Sequence, residues 1–214
     1  MRNFLTAALM VLGISMTAHA GFVVEPAVGV QGITGQTQFE YKFANNTTQK
    51  YTQQSYPVSL TFKYQTANGF WYGVRADDYL GGTFSKVTNY TTANDTFTRL
   101  VASAQIGYES AKGIRAWVGY DAVNQITNTP GTTSNNNNYE FTSLSGTGYQ
   151  VGLGWKFHSH VAVNAMYDVP TYTGGTVTAK TGSSATNTIG TNGYNTFTDG
   201  YWNINVSFPF GGSK

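Results

Sequence analysis

The stretch that most constrains this chain is Tyr201 to Phe210, which reads YWNINVSFPF. Trp202, Ile204, Val206, Phe208 and Phe210 fall on one face, and Asn203, Asn205 and Ser207 on the other. Strict period-two alternation specifies a β-strand with one apolar and one polar face. In a water-soluble sandwich a second sheet would have to cover the apolar face, and the chain has few all-apolar strands to do so. Its polar face carries amides rather than charges. Lipid outside and a polar lumen inside satisfy both faces, which is the pattern of a transmembrane barrel strand.

The rest of the chain repeats this pattern. Alternating segments are predicted at Phe22–Ile33, Ser55–Gln65, Phe70–Tyr79, Thr98–Glu109, Ile114–Asn124, Gly146–Phe157 and Val161–Thr171, and Tyr201–Phe210 is the eighth. Their outward faces read, for example, Phe70, Tyr72, Val74, Ala76 and Leu100, Ala102, Ala104, Ile106, Tyr108. Three connections are short: Ala67-Asn68-Gly69, Ala111-Lys112-Gly113 and His158-Ser159-His160. Four are long and polar: 34–54, 80–96, 125–143 and 172–197. Long and short alternate, so all short turns share one rim and all long loops the other. Asn68-Gly69 favours a primed hairpin turn. Tyr64, Phe70, Tyr108 and Phe157 cluster towards the short-turn rim, and Tyr56, Tyr120, Tyr149, Tyr167 and Trp202 towards the loop rim. These are candidate interface girdles. The expected fold is therefore all-β, an eight-stranded antiparallel up-and-down transmembrane β-barrel over residues 21–214.

Composition agrees with this reading. Twenty-five glycines and fifteen tyrosines among 214 residues suit many short strands and tight turns. A mean hydropathy of −0.26 is compatible with a membrane barrel, because only alternate strand residues face lipid. A net charge of +2 gives no electrostatic footprint for nucleic acid. Residues 1–20 read as a cleaved secretory signal, with Arg2, an apolar run from Phe4 to Met16, and Ala18-His19-Ala20 as the cleavage site. No later run reaches the roughly 18 apolar residues of a spanning helix.

On strand count, loop sorting, leader and aromatic-ended last strand, residues 21–214 resemble the small eight-stranded outer-membrane barrels of the OmpA transmembrane domain and OmpX type. The tail Gly211-Gly212-Ser213-Lys214 after Phe210 departs from that pattern. The resemblance implies residence in the outer membrane of a Gram-negative cell, contact with outer-membrane lipid and lipopolysaccharide, and handling by the barrel-assembly machinery. It implies a monomer.

An eight-stranded barrel is just wide enough to be filled by side chains. The residues predicted to face in include Lys63, Arg75, Arg115 and Lys156 against Glu25, Asp77, Asp121 and Asp168. Four against four predicts a near-neutral, charge-paired lumen, since an unpaired buried charge costs several kcal/mol. Trp71, Trp117 and Met166 would fill space beside Gly29, Gly73, Gly107 and Gly119. The alternative is that the charges line a narrow ion path. Beyond the leader the histidines are His158 and His160, on a short turn. Lipid A-modifying barrels, by resemblance, place His and Ser at the opposite rim, so no catalytic site is expected, nor a metal or cofactor. Gly146-x-Gly148-x-x-x-Gly152 has the wrong spacing for a nucleotide loop, and the sequons at Asn46, Asn89 and Asn94 reflect loop composition. Pro26 and Pro209, which lack backbone donors, predict a frayed seam between the first and last strands. The expected function is that of a non-enzymatic scaffold or surface-contact protein presenting four polar loops; a small porin-like channel for ions or solutes is the alternative.

Overall fold

The structure, a computed structural model, describes residues 21–32, 37–42, 48–86, 95–129, 139–179, 186–188 and 197–211. The leader, the three sequons and the Asn135–Asn138 run lie outside the described residues. Eight strands form the wall: β1 Phe22–Gln31, β2 Thr48–Gln65, β3 Phe70–Lys86, β4 Asp95–Glu109, β5 Ile114–Thr129, β6 Tyr139–His158, β7 Val161–Ala179 and β8 Tyr201–Ser207, resumed at Phe210–Gly211. Each pairs antiparallel with its neighbours in sequence. β1 pairs with β2 through Val28↔Val58 and with β8 through Val28↔Val206, so the sheet closes on itself. Closure leaves no wall strand with an unpaired edge, the condition for crossing lipid in β form. Short strands Thr37–Lys42, Thr186–Thr188 and Phe197–Thr198 pair onto the upper ends of β2 and β7.

Most strands run further than the alternation predicted, chiefly at the long-loop end; at the other end His158, expected in the turn, pairs with Val161 as the last residue of β6. β3 continues seven residues past Tyr79, and β6 begins at Tyr139 rather than Gly146. Ladder irregularities accompany the extension. In β5, Asp121 and Asn124 both point inward around a bulge, so Ile126 and Asn128 face in while Gln125, Thr127 and Thr129 face out.

Two short turns share one construction. Gly69 N donates to Thr66 O at 3.0 Å and Gly113 N to Ser110 O at 2.9 Å, and the left-handed φ falls on Gly69 and Gly113 (90° and 80°). Each is a three-residue loop with glycine at its bulge position, not the primed two-residue turn that Asn-Gly suggested. The expected fraying of the seam is also absent. The β1–β8 ladder skips Pro26 and Pro209, but Phe208 N donates to Pro26 O at 2.8 Å and pairing resumes at Val24↔Phe210 and Val23↔Gly211. The prolines interrupt the ladder without shifting its register, and they leave no open edge.

Candidate functional site

The outer wall carries a continuous apolar belt. Val74, Ile106, Val118, Leu153 and Val206 face out at mid-height and are exposed. Aromatic pairs bound it: Phe70–Tyr108, Tyr64–Tyr72 and Trp155–Phe157 at the short-turn rim, Tyr120–Tyr149 and Tyr167–Trp202 above. From Phe70 to Leu80 is ten residues, about 33 Å of strand, which projects to ~25 Å at the tilt of such barrels. That is the thickness of a lipid-facing band. Above it the outward residues switch to Thr and Gln: Leu100 gives way to Thr98, Tyr149 to Thr147, and Val169 to Thr171.

The lumen is filled in layers. At the short-turn end Glu25 is the hub: its carboxylate accepts from Lys63 Nζ at 2.6 Å, from both Arg115 Nη atoms at 2.7 and 2.6 Å, and from Ser207 Oγ at 2.6 Å. Arg115 Nε lies 3.3 Å from Glu109 Oε2, and Lys156 pairs with the other oxygen of Glu109. Asn164 Nδ2 donates to Ser207 Oγ and Asn205 Oδ1, tying β7 to β8. Above this sits an apolar layer of Trp71, Trp117 and Met166, the indoles 6.4 Å apart. Lys63 Nζ lies 4.9 Å from the Trp71 ring, joining the layers. Glycine seats the indoles: a Cβ at Gly152 would meet the Trp117 ring at 2.1 Å, and one at Gly107 the Trp71 ring at 2.5 Å.

The middle layer is acidic. Arg75 donates to Asp77 through Nε and Nη2 and to Ser59 Oγ at 2.9 Å, and Ser59 Oγ donates to Asp77 at 2.5 Å. Asp121 accepts from Gln150 Nε2 at 2.7 Å, and Gln105 donates to Gln150 behind it. Asp168 is fully buried, yet neither of its oxygens accepts a hydrogen bond from any described protein group. Higher still, Tyr79 and Tyr201 meet edge-on beside Val101, and the Arg99 guanidinium lies 4.1 Å from the Tyr201 ring centroid. Arg99 Nη2 donates to Gln53 Oε1 at 2.9 Å and lies 3.4 Å from Asp199, which accepts from Gln53 at 2.8 Å. Phe84 and Phe97 stack at 4.2 Å in the outermost layer, where Ile126 and Leu144 are also buried.

All eight charged residues singled out from the sequence face inward, but they do not form one network. Glu25, Lys63 and Arg115 meet, Lys156 joins them through Glu109, and Arg75 pairs with Asp77 one turn of the pleat away. Among the described residues, Asp121 and Asp168 have no cationic side chain in ion-pair contact. Alternation missed Glu109, Arg99, Asp95 and Asp199, all buried. The parity that puts Gly107 and Val101 inward also puts Glu109 and Arg99 inward, so two of the four were within reach; Asp199 follows a segment read as loop. Among the described residues five inward cations therefore face seven carboxylates, rather than four facing four. His160 Nδ1 lies 3.1 Å from Pro209 O and its ring stacks on Phe210, so it packs against the seam. Among the described residues no three His, Asp or Glu side chains converge to hold a metal.

No protein-family model matches the sequence, and no curated protein resembles it significantly. Solved structures do match in shape. OprG from Pseudomonas aeruginosa, an outer-membrane protein, superposes with a TM-score of 0.54 at 13% identity, over 91% of this chain and 98% of that one. Ail, the attachment invasion locus protein of Yersinia pestis, gives 0.47 at 12% identity over 90% and 100%. Neisserial surface protein A gives 0.47 at 10% over 90% and 99%. The chain thus has the closed eight-stranded up-and-down barrel fold that OprG displays.

Proposed function

We propose that this chain is a monomeric, non-enzymatic integral protein of the Gram-negative outer membrane. Its lumen is shut, and it holds strand extensions and loops at the cell surface as a scaffold or contact surface. The observation that carries this reading is the packing of the lower lumen: the Glu25–Lys63–Arg115 cluster lies next to a Trp71–Trp117–Met166 layer, joined to it by Lys63 against the Trp71 ring. Loops on a rigid wall are where such a barrel keeps its function. The lipid belt supports the membrane location, and the leader-like pattern of residues 1–20 agrees with an exported chain.

A second reading, a small cation-preferring channel, draws support from the surplus of carboxylates around Asp121 and Asp168. Planar-bilayer recording of the refolded chain separates the two. The scaffold reading expects no unitary steps from wild type. Reproducible steps with cation preference, reduced in Asp168→Asn, would put the channel first.

A further inference from the structure

One outward position breaks the apolar character of the belt. Asp78 alternates with the inward Asp77 on β3, and its cross-strand partners Val58 and Leu100 face lipid. It stands one outward step below Leu80, ~5 Å inside the outer edge of the belt. Among the described residues no other charged side chain faces out between the two aromatic rims, and no hydrogen bond or ion pair joins the Asp78 carboxylate to any of them. Small side chains lie beside it. Ala76 and Ala102 are cross-strand partners just below, and Ala104 follows on β4. Near the same rim β5 to β8 carry Tyr120, Tyr149, Tyr167 and Trp202 instead. Below the alanines, Val74, Ala104, Ile106, Val118, Tyr120 and Tyr149 line an apolar groove across the outer wall.

We infer, on the outer-membrane reading above, that Asp78 and this alanine patch dock a membrane-spanning surface of another protein that turns a Lys or Arg towards lipid at the same depth. Three observations select the partner. First, a carboxylate facing hydrocarbon is costly and is kept where a counter-charge meets it. Aspartate lacks the long stem with which Lys or Arg reaches the head groups, so the counter-charge has to come to it. Second, the alanines let another backbone approach the wall closely, as small residues do between membrane helices. The groove continues that contact towards mid-belt. Third, a second copy does not supply the charge. Two-fold pairing through this face would bring two Asp78 carboxylates together, and the exposed Lys112 lies in a short turn at the opposite rim.

The test uses the full chain refolded into phosphatidylcholine vesicles, with a fluorescent donor on Thr98→Cys, since the chain has no cysteine of its own. The probes are synthetic apolar helices of about 20 residues, flanked by Asn, labelled with an acceptor, and carrying either Arg or Gln one turn inside each end. The expected result is several-fold more energy transfer to the Arg helix than to the Gln helix. That excess should persist in Asp78→Glu. It should fall to the Gln level in Asp78→Asn and, by steric exclusion, in Ala102→Phe. Equal transfer to the two helices, or an excess that survives Asp78→Asn or Ala102→Phe, would overturn the inference. So would loss of the excess when phosphatidylethanolamine replaces part of the phosphatidylcholine, which would make a head-group amine the counter-charge. Energy transfer between donor- and acceptor-labelled copies of the chain, above random mixing, would assign the face to self-association and overturn it too. Failure to insert into the vesicles would instead overturn the membrane reading, and this inference with it.

Discussion

Glu25→Gln is the sharpest test of how the lower lumen is held. The substitution keeps the side chain's shape and removes the charge that Lys63 and Arg115 share. Each cation sits at hydrogen-bond distance from the carboxylate, 2.6–2.7 Å between heavy atoms. At an effective dielectric near 20 a pair with charge centres about 4 Å apart interacts by ~4 kcal/mol, so the two attractions lost are gross terms of roughly 8 kcal/mol. Relief of the carboxylate's own desolvation offsets part of that. Glu109 still faces Arg115 through Nε at 3.3 Å, which moderates the repulsion left between the two cations. Removal of one member of a buried pair typically costs 3–5 kcal/mol net, and about 4 kcal/mol is expected here. With a urea slope of about 2 kcal/mol/M, the unfolding midpoint in lipid vesicles should fall by roughly 2 M. Tryptophan fluorescence is a suitable probe, because Lys63 lies over the Trp71 ring. The double variant Glu25→Gln/Lys63→Met should recover part of the loss, since one stranded cation is gone. A midpoint within about 0.5 M of wild type, or no recovery in the double variant, would refute the claim that Glu25 organises this layer.

Other substitutions probe the remaining layers. Asp168→Asn removes a buried charge that accepts no hydrogen bond from a described protein group, so the unfolding midpoint should rise, by about 1–3 kcal/mol in free energy; a fall would mean the carboxylate has a stabilising partner. Gly152→Ala drives a methyl group into the Trp117 ring and should cost roughly 1–3 kcal/mol while altering Trp emission; unchanged stability and spectrum would show that the indole is not seated there. Ile106→Arg, mid-belt and outward, should cost about 2–4 kcal/mol of folding free energy in bilayers, whereas Thr98→Arg should cost at most ~1 kcal/mol; equal costs would misplace the outer edge of the belt.

The wall was legible in the sequence because lipid on one side and side chains on the other impose period two along every span. Trp202, Ile204 and Val206 alternate with Asn203 and Asn205 for that reason, and the exposed and buried sets fall where alternation put them. The upper ends of the strands were not legible, and the cause is physical. Beyond the membrane the pattern inverts. Phe84, Phe97, Ile126 and Leu144 are apolar and face in, while Thr83, Thr96, Thr98 and Thr127 are polar and face out. A reading that expects apolar residues outside stops at Tyr79 and Thr98, just where water replaces lipid. The bulge between Asp121 and Asn124 adds a change of parity that composition does not announce. In the lumen, parity says which side chains face in but not which meet. Glu25 and Arg115 are 90 positions apart in sequence and join only because β1 and β5 stand across the barrel from one another.

The layering also sets a test of the proposed closed lumen. The lower seal is ionic and indole-capped: Glu25, Lys63, Arg115 and Glu109 beneath Trp71 and Trp117. The upper seal is made differently, from Arg99 caged by Tyr79, Tyr201 and Phe97 and tied to Asp199, under the Phe84–Phe97 stack. Between them lies the acidic band of Asp77, Asp121 and Asp168 with Arg75. Two seals in series mean that truncation of one leaves the other in place. Arg115→Ala and Arg99→Ala should therefore each remain silent in a planar bilayer, while the double variant, once refolded, should give unitary steps. The acidic band would then face the open path, and those steps should favour cations. Steps from Arg115→Ala alone would mean that the upper aromatic layer does not close the lumen. A folded double variant that stays silent would place the decisive closure in the acidic band itself, where Arg75 and Asp77 bridge the space between the two seals.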